Sequence, residues 1–323
     1  MPLPTDPKAI ALSHDVLDAF DTVNGGEHAG FRPAHAKGVM FTGVFKPSTE
    51  VASLTRAPHT QRETPITVRL SDFAGVPNVP DNSDNASPRG CAIRFHLGEH
   101  VHTDIVAHSV DSFPARTAEE FLGFLQAVAA TTPTQAHPNA IEQYLGAHPK
   151  ALAFVQAPKP IPTSFAHETF FAVSAFKFTA ANGSSRFGRY RILPEAGSEY
   201  LDNPAAAAKG PDFLFDEIKQ RVAKGPIKYQ IVVQLAEPGD VTDDATVRWP
   251  EGRSHLKFGE LILRTLVADS DAERRRFIFD PIPRVEGIEA SADPLFEQRA
   301  DVYLLSGRRR RAADQETAKA KAS

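Results

Sequence analysis

Two groups of four alternating stretches constrain what this chain can fold into more than any other feature. Gly38 to Lys46 sets Val39, Phe41, Gly43 and Phe45 against Met40, Thr42 and Val44, and a period of two marks a half-buried strand. Ile66–Leu70, Cys91–Leu97 and Val101–Val106 complete the first group. The second opens with Glu168–Ala180, which puts Phe170, Ala172, Ser174, Phe176 and Phe178 on one face. Ser185–Leu193, Ile227–Leu235 and Lys257–Val267 follow. Most connections are too short for parallel crossovers, so the pattern predicts a closed antiparallel barrel of eight strands.

Helical spacing appears outside these groups. Ile10, Leu12, Val16, Leu17 and Phe20 form an amphipathic start. Thr117 can cap Ala118–Ala130, with Glu119 and Glu120 in the first turn where acidic side chains suit the helix dipole. Further helices are expected over Asn139–Leu145, Pro149–Val155 and Pro211–Ala223, and Asp293-Pro294 opens a last one reaching about Ser306. The class is therefore α+β: an eight-stranded antiparallel β-barrel with added α-helices. Residues 1–311 read as one domain, and 312–323 (AADQETAKAKAS) as a polar, flexible tail with nothing to bury.

Composition removes several function classes. A net charge of −4 offers no attraction for nucleic acid or an anionic membrane, so neither is expected as a partner. No apolar run reaches the roughly 18 residues that span a bilayer. The first 25 residues lack a basic start, an apolar centre and a small-residue cleavage site. The single Cys91 excludes an intrachain disulfide and a thiolate zinc site and suits a reducing compartment, so the cytoplasm is the expected location. His96, His100 and His102 fall on a strand–turn–strand stretch that does not converge three imidazoles on zinc. There is no nucleophile elbow, phosphate loop, metalloprotease helix or dinucleotide fingerprint.

Two segments almost a chain length apart carry the chemistry. Near the start stands Phe31-Arg32-Pro33-Ala34-His35-Ala36-Lys37-Gly38; near the end, Arg299-Ala300-Asp301-Val302-Tyr303. On a helix the Arg299 and Tyr303 spacing of i,i+4 lays a guanidinium beside a phenol, where it favours the phenolate.

With Val68-Arg69-Leu70-Ser71, Pro88-Arg89-Gly90-Cys91-Ala92-Ile93-Arg94-Phe95 and Asp104-Ile105-Val106 between them, these pieces stand in one order. The chain resembles the haem catalases, specifically the short catalase-related peroxidases that keep little beyond the barrel, from about Arg32 to Arg311. The resemblance implies haem b as cofactor, with tyrosine on the iron, as in catalase. It makes Tyr303 the iron ligand, Arg299 the partner of its phenolate and His35 the distal histidine. Ser71 is implied as the hydroxyl that orients the imidazole. Arg32, Arg69 and one of Arg308–Arg311, by spacing Arg310, are implied as propionate ligands, a task that suits forked guanidinium groups.

One departure stands out. Full-length catalases carry a distal asparagine shortly after the Asp-Leu-Val segment. Here the stretch reads Asp104-Ile105-Val106-Ala107-His108-Ser109, and alignment puts Ser109, with His108 beside it, at that position. Losing an amide donor weakens the hold on peroxide. The expected activity is thus a peroxidase that takes hydrogen peroxide or organic hydroperoxides and a small organic reductant, with weak catalase activity at most. Two other readings suit the scaffold: a fatty-acid hydroperoxide isomerase or dehydratase similar to allene oxide synthase, and a non-enzymatic barrel that holds haem or a hydrophobic ligand. A homodimer is the expected assembly, because exposed barrel walls often pair symmetrically.

Overall fold

In the computed structural model, which describes residues 4–132, 134–268, 273 and 275–322, the alternating stretches pair with their sequence neighbours and close on themselves. The strands are β1 (Gly38–Pro47), β2 (Thr64–Ser71), β3 (Gly90–Gly98), β4 (Val101–His108), β5 (Ile161–Pro162), β6 (Phe170–Phe171), β7 (Phe176–Thr179), β8 (Ser185–Pro194), β9 (Tyr200–Leu201), β10 (Ile227–Leu235), β11 (His255–Leu266) and β12 (Ile288–Ala290). The antiparallel order runs β10, β11, β1, β2, β3, β4, β6 and β8, and β8 pairs back onto β10 to shut the ring. Closure leaves no sheet edge along this ring. The barrel is the eight-stranded one its alternation predicts.

The fifth strand departs from expectation. Instead of running unbroken over Glu168–Ala180, it splits into β6 and β7, both paired with β8. Phe171 faces Arg191 and Phe176 faces Gly188, so five residue steps oppose three. The surplus buckles the backbone between them, as a bulge does. The buckled stretch finds other partners: the Ala175 carbonyl accepts from the Ser291 N–H, next to β12, which lines up on β7.

Apolar side chains of alternate positions fill the barrel. Val39, Phe41, Val68, Leu70, Cys91, Ile93, Ile105 and Ala107 are all buried in one cluster with Phe178, Tyr190 and Phe258. The residues between them, Gly38, Ser71, Gly90 and His108, therefore point to the opposite face of the same wall. That face is where the site lies.

The helices are α1 (Pro7–Val23), α2 (Ala118–Ala129), α3 (Ala140–Ala147), α4 (Pro149–Gln156), α5 (Asn203–Ala207), α6 (Phe213–Lys224) and α7 (Leu295–Ala322). Thr117 accepts from the Glu120 N–H, and Asn139 with Glu142 forms a capping box on α3. The last helix does not stop near Ser306 but continues to Ala322; Gly307 aside, residues 299–322 contain neither glycine nor proline, so nothing local ends it. Val16 and Phe20 of α1 pack against Leu125 of α2 and Val302 of α7, which ties the first and last helices together over the wall of the barrel. No helix among the described residues is long and apolar enough to cross a membrane.

Candidate functional site

Strand register lines up the floor of the site. Gly38, Ser71, Gly90 and His108 sit side by side across β1 to β4. The next row on that face is Met40, Arg69, Ala92 and Val106. Gly38, Gly90 and Ala92 leave the middle of the wall without side-chain volume. His35 exploits this. A Cβ on Gly90 would lie 2.5 Å from Ser71 Oγ and 2.7 Å from His35 Nδ1, so the imidazole rests where only glycine leaves room.

His35 is held from several directions. Its backbone adopts φ +58°, a left-handed conformation that non-glycine residues take only when their surroundings impose it. Here the His35 N–H donates to the Phe73 carbonyl at 2.5 Å and the Ala36 N–H to the Ala74 carbonyl at 2.9 Å. The ring Nδ1 lies 2.9 Å from the Asp72 carbonyl and 3.2 Å from Ser71 Oγ. A carbonyl only accepts, so Nδ1 carries the proton and Nε2 keeps its lone pair. Phe73 stands edge-on to the ring at 5.4 Å. Burial, reinforced by the Arg69 guanidinium, pushes the His35 pKa down to about 3. The residue as a whole is half-buried, and dense protein around the ring makes charging costly. His35 is thus a neutral base at ordinary pH.

Sequence reasoning missed what braces this histidine. Arg89 is fully buried; it donates to Asp72 Oδ1 at 2.5 Å, to the Ala86 carbonyl at 2.7 Å and to the Asp81 carbonyl. Lys37 donates to Asp81 Oδ1 at 2.5 Å and to the Val79 carbonyl at 2.9 Å, and pairs with Asp212 at 2.7 Å. These charges pin the loop from Asp72 to Arg89, whose first carbonyl holds His35. Lys37 and Arg89 fall inside quoted motifs, but their partners Asp72, Asp81 and Asp212 are brought to them by folding, and no spacing in the sequence links them.

The helix α7 carries the second motif. Arg299, Tyr303, Ser306 and Arg310 recur at helical spacing along one stripe. Arg299 Nη2 donates to the Tyr303 phenol oxygen at 3.3 Å, and its guanidinium carbon lies 5.7 Å from the ring centre. Arg310 donates to Ser306 Oγ at 2.8 Å and to the Phe277 carbonyl at 3.1 Å. Arg32, from the distal segment, donates to that same carbonyl at 2.8 Å. Of the four consecutive arginines, Arg310 is buried, Arg309 pairs with Asp21 and Glu27 of the first helix and its following turn, and Arg308 and Arg311 are exposed. Arg69 is buried over Gly38 and donates to the His35 and Ala36 carbonyls at 2.7 and 3.2 Å.

The two distant segments meet. Ala34 and Phe73 pack in one apolar cluster with Val302, next to the tyrosine. Arg32 and Arg310 share a carbonyl, and burial, with the Arg299 charge added to it, depresses the proton affinity of His108. Ser109 lies at the end of β4, where its hydroxyl accepts from the Arg89 N–H at 2.9 Å. The donor set fits a haem: one anionic-capable oxygen with a cation beside it, guanidinium groups of the kind that pair with carboxylates, and a wall that Gly38 and Gly90 leave shallow in its middle. His96, His100 and His102 go elsewhere. His96 binds Thr67 Oγ1 at 2.9 Å, His102 binds Asp104 at 3.1 Å and His100 is exposed at a turn.

The chain as a whole is similar to known proteins. The catalase family profile matches residues 15–318. A catalase-related peroxidase of Mycolicibacterium paratuberculosis is 33% identical over 308 residues, covering 92% of this chain and 95% of that one. A catalase-related peroxidase of Synechococcus elongatus is 29% identical, covering 87% and 84%. Among solved structures, catalase A from Saccharomyces cerevisiae superposes with a TM-score of 0.77 at 21% identity, over 88% of this chain and 62% of its own. A fungal catalase gives the same TM-score and identity, over 88% and 60%. The chain thus spans about three fifths of these solved catalases.

Proposed function

Because the chain belongs to the catalase family, we propose that it is a haem b peroxidase. It reduces hydrogen peroxide or an organic hydroperoxide at the expense of a small organic donor, with weak catalase activity at most. The observation that carries this reading is the neutral His35, its Nδ1–H committed to the Asp72 carbonyl, beside the helix that bears Arg299 and Tyr303. Such a base needs an acidic hydrogen to take, and peroxide supplies one.

Bound haem would supply the iron that takes up the peroxide and accepts its oxidising equivalents. Tyr303 would hold that iron through its phenol oxygen, and Arg299 would keep the oxygen electron-rich. Arg32, Arg69 and Arg310 would hold the propionates. His35 Nε2 takes the proton of the peroxide oxygen and returns it to the departing one, a transfer worth roughly 10²–10⁴ in rate. Ser71 and Phe73 keep the ring in the orientation this needs. The distal asparagine of full-length catalases has no counterpart at Ser109, which disfavours a second hydrogen peroxide as reductant. The working unit is residues 1–311. Cys91 is buried and free, which suits the reducing cytoplasm, and a homodimer is the assembly we assign.

The test is a spectrum of the purified protein followed by peroxide with and without an aromatic reductant. A ferric high-spin Soret band and peroxide consumption that depends on the donor are expected. Rapid oxygen evolution without donor would make it a catalase. A hydroperoxide converted to a product of unchanged mass, with no donor oxidised, would make it an isomerase.

A further inference from the structure

His108 ends β4 on the same sheet face as Ser71 and Gly90, and the register puts it directly beside Gly90. The His35 ring lies over Gly90, so the two imidazoles border one space. Each feels the site's charges: a charge on His108 would lower the proton affinity of His35. Their hydrogen bonds set them in opposite tautomers. His35 Nδ1 faces a carbonyl and must carry a hydrogen, leaving Nε2 as acceptor. His108 Nδ1 accepts the Val110 N–H at 3.3 Å. A backbone N–H only donates, so this nitrogen is bare and the neutral ring bears its hydrogen on Nε2. Burial, aided by Arg299, pushes the His108 pKa down to about 3, so the ring is neutral in use. The adjacent Ser109 is woven into the strand end, with its hydroxyl accepting from the Arg89 N–H and its own N–H donating to the Arg89 carbonyl.

We propose that His108 is a second catalytic residue, whose Nε2–H donates a hydrogen bond to the peroxide while His35 Nε2 accepts its proton. This rests on the haem peroxidase reading above and assigns the donor that reading lacks. The proton of the bound peroxide oxygen passes to His35 Nε2. The O–O bond then breaks, its electron pair leaves with the outer oxygen, and His35 returns the proton there, so water or an alcohol departs. Haem, when bound, would provide the two electrons that the departing oxygen takes with it. His108 keeps its hydrogen throughout and lowers the energy of the negative charge that develops as the bond breaks.

Two measurements test this in the full-length protein. Fluoride binding to the ferric form reads a donor on the distal side. His108→Leu should weaken it about tenfold or more, whereas His108→Asn, which keeps an N–H, should stay within about threefold of wild type. Unchanged fluoride affinity in His108→Leu overturns the assignment, as does a loss seen in Ser109→Ala but not in His108→Leu. Long-range ¹H–¹⁵N NMR of the histidine-labelled chain reads the tautomers whether or not porphyrin is bound, and needs no variant to fold. Nε2–H at His108 with Nδ1–H at His35 is expected; Nδ1–H at His108 overturns the proposal. A chain that takes up no haem fails the peroxidase reading instead, and its spectrum says so separately.

Discussion

His35 spends conformational energy to be where it is, since left-handed backbone costs a residue of this kind roughly 1 kcal/mol or more. Backbone pairing to Phe73 and Ala74 imposes it, and the return is an imidazole whose Nε2 is free to act. His35→Ala should keep haem and lower the rate of reaction with peroxide by about 10² or more; stopped-flow rates equal to wild type would refute the role. Tyr303→Phe removes the oxygen that Arg299 donates to. Its Soret band should be lost or shifted, and an unaltered spectrum would refute the ligation. The same residues show how far a sequence carries. The Arg299 and Tyr303 pair was readable because four residues on a helix are neighbours by geometry. The tautomers of His35 and His108 were not, because the Asp72 carbonyl and the Val110 N–H that decide them are set by backbone conformation.

At the scale of elements, the site depends on two strands presenting nothing. Gly38 lets the Arg69 guanidinium fold flat against β1, and Gly90 lets His35 rest on β3. Gly90→Ala should therefore displace the imidazole or Ser71, cost about 1–3 kcal/mol as overpacking does, and slow the peroxide reaction about tenfold or more. Thermal melts and stopped-flow traces measure the two effects, and a variant with wild-type kinetics would sink this account of the glycine. Strand positions were legible because barrel strands alternate strictly. The split of the fifth strand was not, because Ala172 to Ala175 carry no local breaker; the two-residue surplus exists only relative to β8. The full length of α7 was missed for the converse reason, a polar composition that argues against burial but not against helix.

The whole molecule adds a dependence on pH. His59 lies inside the barrel, 1% exposed, with the rings of Phe95, Phe258 and Phe45 at 4.6, 5.7 and 6.1 Å. Burial drives its pKa down to about 3, while the unfolded chain takes the proton near the ordinary 6.5. The contribution of neutral His59 is therefore complete above about pH 6.5 and is lost as pH falls from there toward 3, at about 1.4 kcal/mol per unit. His59→Phe cannot be protonated. Between pH 6.5 and 4.5 urea denaturation should show its stability falling by about 2–3 kcal/mol less than that of wild type. Equal falls would place the acid sensitivity elsewhere, at His35 or His108.

By itself the sequence determined the eight alternating strands, their closure into a barrel and the neighbouring of Arg299 and Tyr303 on a helix, because alternation, capping and helical spacing are local and need no partner to be seen. The roles of the site residues came only from the resemblance to the catalases. Only the tertiary structure decided which side of the wall those residues share. It brought Arg32 to Arg310 across 278 positions of chain, set Arg89 and Lys37 behind the histidine, and turned two neutral imidazoles into one acceptor and one donor. Those outcomes depend on register and on backbone carbonyls brought close by folding, and no periodicity in a one-dimensional string encodes them.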